Sequence, residues 1–323
     1  MSAAKLMNRI VNPDNVNYDR PQSSNLRKSN IEAEIVHDVY MSTYGMSVDP
    51  LMQFSVVFAS LIHDVGHTGL SNAELIELGT ANATKYRQQS VAEQYSVDLA
   101  WKILMRDEYR TLRRCIYSNE KELNRFRELL VTAVLATDIA DRELKQCREA
   151  RWAGAFTPEA DTTVRTCTGL TQIDANRRAT IVFEYIIQAS DVAHTMQHWT
   201  TYQKFNKRLF EERYVAWING RAAKEPSQGW YGGELWFFDN YIIPLAEKLN
   251  TCGVFGVSYH EVLGYAKANK QEWERKGRSI VDELLMSCQE KYGSEVRKIP
   301  LESEREYDDH HPASRLLREQ CSI

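Results

Sequence analysis

Apolar residues recur every three to four positions through most of the chain, and persuasive strand alternation is lacking. Residues 1–11 read as the end of a helix. Polar text with Pro13, Pro21 and a Ser/Asn cluster follows to about residue 30 and reads as loop. Asp49-Pro50 is a helix start, an N-cap followed by proline at the first helical position. The segment it opens, LMQFSVVFASLIHD, is apolar nearly all round, which predicts a central, buried helix. Ser90 and Glu93 have capping-box spacing and predict a helix running to about Met105. Over 120–137 the pattern places Leu123, Phe126, Leu130, Val134 and Leu135 on one helical side.

Residues 157–176, rich in Thr, Asp and Gly, read as loop. One or two long helices are predicted over 179–217, carrying Ile181, Tyr185, Ile186, Ala189, Val192 and Met196. Gly and Pro break 219–233, and helices follow at about 234–250 and 258–290. The tail, residues 294–323, is charged, has no apolar period, and is expected to be disordered. No internal repeat interrupts this order. The predicted fold is all-α.

Composition strengthens that picture. With only 15 Gly and 8 Pro in 323 residues, breakers are too few for many short strands and turns. A net charge of -4 without a basic stripe weighs against nucleic acid as a partner. The six cysteines form no CxxC pair; they predict reduced thiols in a cytoplasmic protein and make poor metal ligands. The N-terminal residues lack the apolar core of a signal peptide. The longest apolar stretch, around 54–62, is too short to cross a bilayer, although a longer parent protein could carry an anchor.

The densest chemistry is His63-Asp64-Val65-Gly66-His67, at the end of the most apolar helix. On a continuing helix, His63 and His67 would share one face. Neutral imidazole nitrogen beside carboxylate oxygen suits zinc, manganese or magnesium. Burying Asp64 without a cation or a strong hydrogen-bond network would cost several kcal/mol, about the penalty for an unpaired buried charge. The plain alternative is a helix C-terminus whose histidines sit on its dipole.

Asp191 lies among Ile186, Ile187, Ala189 and Val192, where an acid needs a partner. It would complete the ligands of the first site from a second helix, or bond to a nearby Tyr or Arg. His194 and His198 could form a separate DxxHxxxH site with Asp191, but His198 is expected to pack beside Trp199.

Five ordered segments carry a resemblance: HDVGHTGLSN (63–72), YRQQSVAE (86–93), LATD (135–138), QASD (188–191) and ELWFFDNYIIP (234–244). In this order they resemble the catalytic domain of class I 3′,5′-cyclic nucleotide phosphodiesterases, a compact multi-helix, HD-type fold. Ordered motifs over residues 50–285 are far more specific than any one alone. The resemblance implies hydrolysis of cAMP or cGMP to the 5′-monophosphate with two divalent metal ions, zinc and magnesium (or manganese). His63, Asp64 and Asp191 would hold the tighter metal, with Asp64 bridging to the second. A water acidified by both cations would attack phosphorus in line. His67 and Glu93 would organise the water network around the second metal, unless Glu93 only completes its capping box. Thr137 and Asp138 would support the site or simply end a helix. On the substrate side the resemblance implies Glu234, Phe237 and His194; Phe237 would stack on the purine or serve as an ordinary core aromatic.

Two departures stand out. The family carries an HNxxHxxDV-type segment upstream of HDxxH, and none is found here. His37-Asp38-Val39 has Ile31 and Ile35 where the histidines should be. The alignment that fits better treats 1–293 as a catalytic domain lacking its N-terminal part, with insertions at 12–48 and 157–176. Such a chain is expected to be a weak enzyme, since loss of a general acid typically costs about 10²–10⁴-fold. The second departure is Glu234, where most animal members have Gln. An ionised Glu only accepts hydrogen bonds, which tilts the expectation toward guanine and cGMP. Other HD-type phosphohydrolases and a catalytically dead regulatory domain are the rival readings. A homodimer, or fusion to regulatory domains in the parent, stays open.

Overall fold

The structure, a computed structural model, describes residues 3–10, 39–156, 172–255 and 260–295. Its helices are α1 (Ala3–Met7), α2 (Pro50–Ile62), α3 (Asn72–Glu77), α4 (Ala81–Lys85) and α5 (Val91–Leu104). Next come α6 (Arg110–Ile116), α7 (Glu120–Ala136), α8 (Arg142–Phe156) and α9 (Gln172–Asp191). The last four are α10 (Trp199–Ile218), α11 (Ser227–Phe237), α12 (Ile243–Thr251) and α13 (His260–Tyr292). No strand occurs among the described residues, as the all-α expectation required. None of their helices is long and apolar enough to cross a membrane. Of the two expected insertions, residues 12–38 and 157–171 lie outside the described residues; 39–42 are helical and Met46–Val48 form a 3-10 turn. Tail residues 296–323 also lie outside them.

The chain divides into two compact units. The first comprises Met1–Leu61, Thr111–Asp191 and Leu245–Glu261. Here α9 packs on α1, α7 and α8. Its apolar stripe is buried as predicted, Ile181, Tyr185, Ile186 and Ala189 included, and so are Phe126, Leu130, Val134 and Leu135 of α7. Gln188 joins the two helices by donating to the Ala136 carbonyl at 2.7 Å. That bond satisfies one of the carbonyls orphaned where α7 ends. Buried Glu184 is forked by Arg151 at 2.8 and 2.5 Å, so its charge is matched.

Helix α2 departs from the expectation. Asp49 caps it, accepting from the Met52 amide at 3.0 Å. Met52, Val56, Ala59 and Ile62 are buried, yet Phe54, Val57 and Leu61 are exposed, Leu61 by 78%. An all-round apolar sequence therefore presents one buried stripe and one stripe to solvent. Composition cannot choose which faces find a neighbour; packing does.

The second unit comprises Ile62–Arg110, Val192–Pro244 and Val262–Ile323. Short helices α3, α4 and α5 enclose a small core of Leu70, Leu75, Ala83, Tyr86 and Val91. A second core is aromatic, with Tyr202, Phe210, Tyr214, Phe238 and Trp273 fully buried. Trp273 on α13 donates to the Tyr231 carbonyl of α11 at 3.1 Å. Gly277 lets these helices meet, since a Cβ there would stand 2.9 Å from the Tyr231 ring.

That contact explains why α11 begins inside the stretch expected to be loop. Each of Gly229, Gly232 and Gly233 costs about 1 kcal/mol relative to Ala in a helix. Burial of Trp230 against Phe210, with ring centroids 5.1 Å apart, and anchoring of Tyr231 outweigh that cost. The 179–217 stretch is two helices, interrupted by the 3-10 turn Ala193–Met196. Asn269 closes this interruption by donating to the Thr195 and Gln197 carbonyls at 2.8 and 2.7 Å.

Candidate functional site

Helix α2 ends at Ile62, and His63 to Gly66 form a turn, so His63 and His67 do not share a helical face as predicted. The cause is Gly66 at φ +77°, a left-handed conformation in which a Cβ would lie 2.7 Å from the Tyr95 ring of α5. Ser96 on the same helix donates to the Val65 carbonyl at 3.1 Å. The turn is thereby fastened to α5 through residues that bear no site chemistry.

His63 Nε2 and Asp64 Oδ2 are 3.3 Å apart, with the His63 side chain 17% exposed and that of Asp64 66%. The Asp64 carboxyl is held below the usual range by its hydrogen bond with His63, against burial and aided by the charges of His63 and His67. Asp191 is the final residue of α9. His63 and Asp64, two of the three residues singled out as metal ligands, thus stand side by side in the second unit, while Asp191 closes the last turn of α9 in the first. An imidazole beside an ionised carboxylate is a donor pair that fits a divalent cation.

His67 follows in the same turn. Its Nδ1 accepts from the Gly69 amide at 3.0 Å, which places the proton of the neutral ring on Nε2.

Glu93 corrects the sequence reading. Ser90 sits at φ 38°, ψ 52° and makes no cap hydrogen bond, so the predicted capping box is absent. Instead Glu93 Oε2 accepts from Asn72 Nδ2 at 2.9 Å, and Asn72 Oδ1 accepts from the Ala92 amide at 2.9 Å. One asparagine on α3 therefore holds the Glu93 carboxylate and caps α5 from a distance. The capping box of this region is at Ser71 and Glu74, at the head of α3. The Asn in the turn after HDVGH was visible as part of the motif, but its reach across to α5 was not.

On the substrate side, Glu234 of α11 accepts from the Tyr202 hydroxyl at 2.6 Å. Asn206 donates to that same hydroxyl at 3.4 Å, and its own oxygen accepts from Trp230 Nε1 at 3.3 Å. Burial pushes the Glu234 carboxyl up, opposed by its bonds with Tyr202 and Asn206. Tyr202 was not foreseen: a tyrosine in a long amphipathic helix reads as core. Phe237 is half-buried and stacked on Tyr241, with centroids 5.2 Å apart and planes at 17°. His194 stacks on Phe205 at 5.1 Å. His198 caps α10, its Nδ1 lying 2.9 Å from Thr200 Oγ1. In the LATD segment, Thr137 donates to the Val134 carbonyl and Asp138 accepts from the Ala140 and Asp141 amides, so both hold the exit from α7.

A family model described as 3'5'-cyclic nucleotide phosphodiesterase matches residues 33–252. The chain belongs to this family. Among similar proteins is a probable 3',5'-cyclic-AMP phosphodiesterase, pde-4, of Caenorhabditis elegans, 26% identical over 199 residues. That alignment covers 60% of this phosphodiesterase chain and 27% of the worm protein. A cGMP-specific 3',5'-cyclic phosphodiesterase gamma of Plasmodium yoelii is 22% identical over 71% of this chain and 29% of its own length. This chain thus spans less than a third of either relative. The solved phosphodiesterase domain of the RhoPDE fusion protein from the choanoflagellate Salpingoeca rosetta aligns with a TM-score of 0.54 at 20% identity. It covers 77% of this chain and 78% of that one, a likeness of fold.

Proposed function

We propose that this phosphodiesterase chain hydrolyses 3′,5′-cyclic nucleotides to 5′-monophosphates, using two divalent cations. The pairing of His63 with the ionised Asp64, inside the segment that the family model matches, carries the reading. These three residues would hold one ion, zinc suiting their mixed donors, and Asp64 would share the second, magnesium or manganese. Such ions, when bound, polarise phosphoryl oxygens and bring the pKa of water close to neutrality.

The remaining work falls to the chain's own groups. The depressed Asp64 carboxyl is ionised and ready to ligate across the neutral range. His67, protonated on Nε2 when neutral, offers a hydrogen-bond donor to solvent or a phosphate oxygen. Glu93, fixed by Asn72, supplies an acceptor that orients water. Phe237 would stack on the base, His194 would sit on the substrate side, and Glu234 would read the purine edge. None of the described residues assigned here is a general acid for the leaving 3′-oxygen, so slow turnover is expected.

Glu234 gives the reading a pH dependence. Its pKa is raised, so the carboxyl passes from neutral to ionised above the ordinary glutamate range. The neutral acid offers both donor and acceptor, as an amide does; the carboxylate only accepts, matching the adjacent N1–H and N2–H₂ of guanine. Preference for cGMP over cAMP should therefore grow as pH rises, and Glu234→Gln should flatten that trend.

The decisive experiment incubates the protein with cAMP or cGMP and Zn²⁺ plus Mg²⁺ or Mn²⁺, and follows 5′-monophosphate by chromatography. Product should disappear on chelation and in Asp64→Asn and Asp191→Asn. Tight cation binding with no product from either nucleotide would overturn the catalytic reading.

A further inference from the structure

Arg213 of α10 and Arg221, three residues past its end, reach the turn that follows His67, although neither belongs to the cation or nucleotide groups described above. Arg213 Nη1 donates to the Gly69 carbonyl at 3.3 Å, and Arg221 Nη1 donates to the Thr68 carbonyl at 3.1 Å. Consecutive carbonyls in a polar turn are ordinarily satisfied by water. Arg213 also forks onto Glu74, with Nη1–Oε2 and Nη2–Oε1 both at 3.2 Å. Glu74 is the residue that closes the capping box of α3. The turn has little slack of its own: Gly69 is at φ +79°, and a Cβ there would stand 3.1 Å from Glu212 Oε1.

This anchoring touches the hydrogen bonds that orient His67 and Glu93, the two groups proposed above to organise water in the site. Gly69, whose carbonyl Arg213 holds, is the residue whose amide donates to His67 Nδ1. Asn72, which fixes Glu93, is the first residue of α3, two positions before the forked Glu74. The Arg213–Glu74 pair is partly buried and stabilises the turn modestly, but the exposed Arg221 contact contributes little to folding, so stability alone is a weak account of two arginines spent on one turn.

We infer that Arg213 and Arg221 are positioning residues that clamp residues 68–74, holding His67 in its Nε2–H form and Asn72 against Glu93. The inference rests on the phosphodiesterase reading only for what His67 and Glu93 then do in the reaction. A lysine at 213 could reach one carbonyl but could not fork onto Glu74.

The test compares wild type with Arg213→Ala, Arg213→Lys and Arg221→Ala, all in the full chain and first checked by thermal melting. Long-range ¹H–¹⁵N spectra of the histidine rings, recorded without metal at alkaline pH, report which nitrogen carries the proton. Wild-type His67 should show a single Nε2–H pattern. Both alanine variants should mix the two tautomers while melting close to wild type, and Arg213→Lys should fall between. With metals and cyclic nucleotide, kcat should drop about 10–100-fold in the alanine variants while KM stays within about twofold.

An unchanged His67 ring pattern in both alanine variants overturns the clamp, as does an unchanged kcat. Should Arg213→Ala fail to fold, Arg221→Ala, which removes an exposed bond to the Thr68 carbonyl, decides the matter. Should the chain hydrolyse neither nucleotide, the ring spectra still decide, so failure of the clamp and failure of the catalytic reading are distinguishable.

Discussion

Residues 71–74 and 90–93 spell Ser-Asn-Ala-Glu and Ser-Val-Ala-Glu, the same helix-start signature, yet they fold differently. At the first, Ser71 is extended at φ -70°, ψ 160°; its hydroxyl accepts from the Glu74 amide, and Glu74 accepts from the Ser71 amide at 2.7 Å. At the second, Arg87, Gln88 and Ser90 all have positive φ, and the buried Ser90 hydroxyl has no hydrogen-bond partner among the described residues. A capping box needs an extended N-cap residue, because only then does the side chain point along the helix toward the free amides. The tight approach to α5 denies Ser90 that geometry. Asn72 takes over the cap, and the Glu93 carboxylate accepts from Asn72 instead of from its own helix end.

Asn72→Ala should break the contrast most strongly. It removes an N-terminal cap worth roughly 1–2 kcal/mol of stability, and by loosening Glu93 it should lower metal-dependent hydrolysis about 10–100-fold. Chemical denaturation and steady-state kinetics read the two effects. Asn72→Asp separates them: its carboxylate can still accept from Ala92 but repels Glu93, so stability should survive better than turnover. Turnover that survives in Asn72→Asp as well as stability does would mean that Asn72 is only a cap.

A pair of serine substitutions comes next. Ser71→Ala should cost about 1 kcal/mol, whereas Ser90→Ala should stay within about 0.5 kcal/mol of wild type, since no hydrogen bond is lost. Similar midpoint shifts in urea for the two would contradict the geometry described here.

The smallest effect is electrostatic. Burial works against ionised Glu74, but bonds from Ser71 and Arg213 prevail and hold its carboxyl below the ordinary value. A depressed folded pKa stabilises the protein above the unfolded glutamate pKa, and this contribution fades as pH falls through the folded value. Glu74→Gln should therefore be less stable than wild type near neutrality, with the gap narrowing on acidification. A gap that widens in acid would reverse the sign and refute it.

Much of the fold was legible because its signals are local. The stripe through Ile181, Tyr185, Ile186 and Ala189 marked α9, and Asp49-Pro50 marked the start of α2. Misreadings arose where a distant residue overruled a local preference. Gly-rich α11 is helical because Phe210 and Trp273 engage it. Leu61 is exposed, despite an apolar helix all around it, because none of the described residues covers that face. Among site residues, the candidate cation ligands stood out as charged or polar groups at the ends of apolar runs. Asn72, Tyr202, Arg213 and Arg221 were not, because ordinary polar and aromatic residues carry no mark of the partner they will meet.

The amino-acid order by itself determined the helical class, most helix positions and the identity of the candidate ligands, since periodicity, capping chemistry and the cost of burying charge act over a few residues. Only the tertiary structure decided that Ser90 caps nothing, that Asn72 serves α5, and that Glu234 bonds to a phenol. Those outcomes depend on which groups, tens of residues apart in the chain, come within hydrogen-bonding distance once the helices have packed.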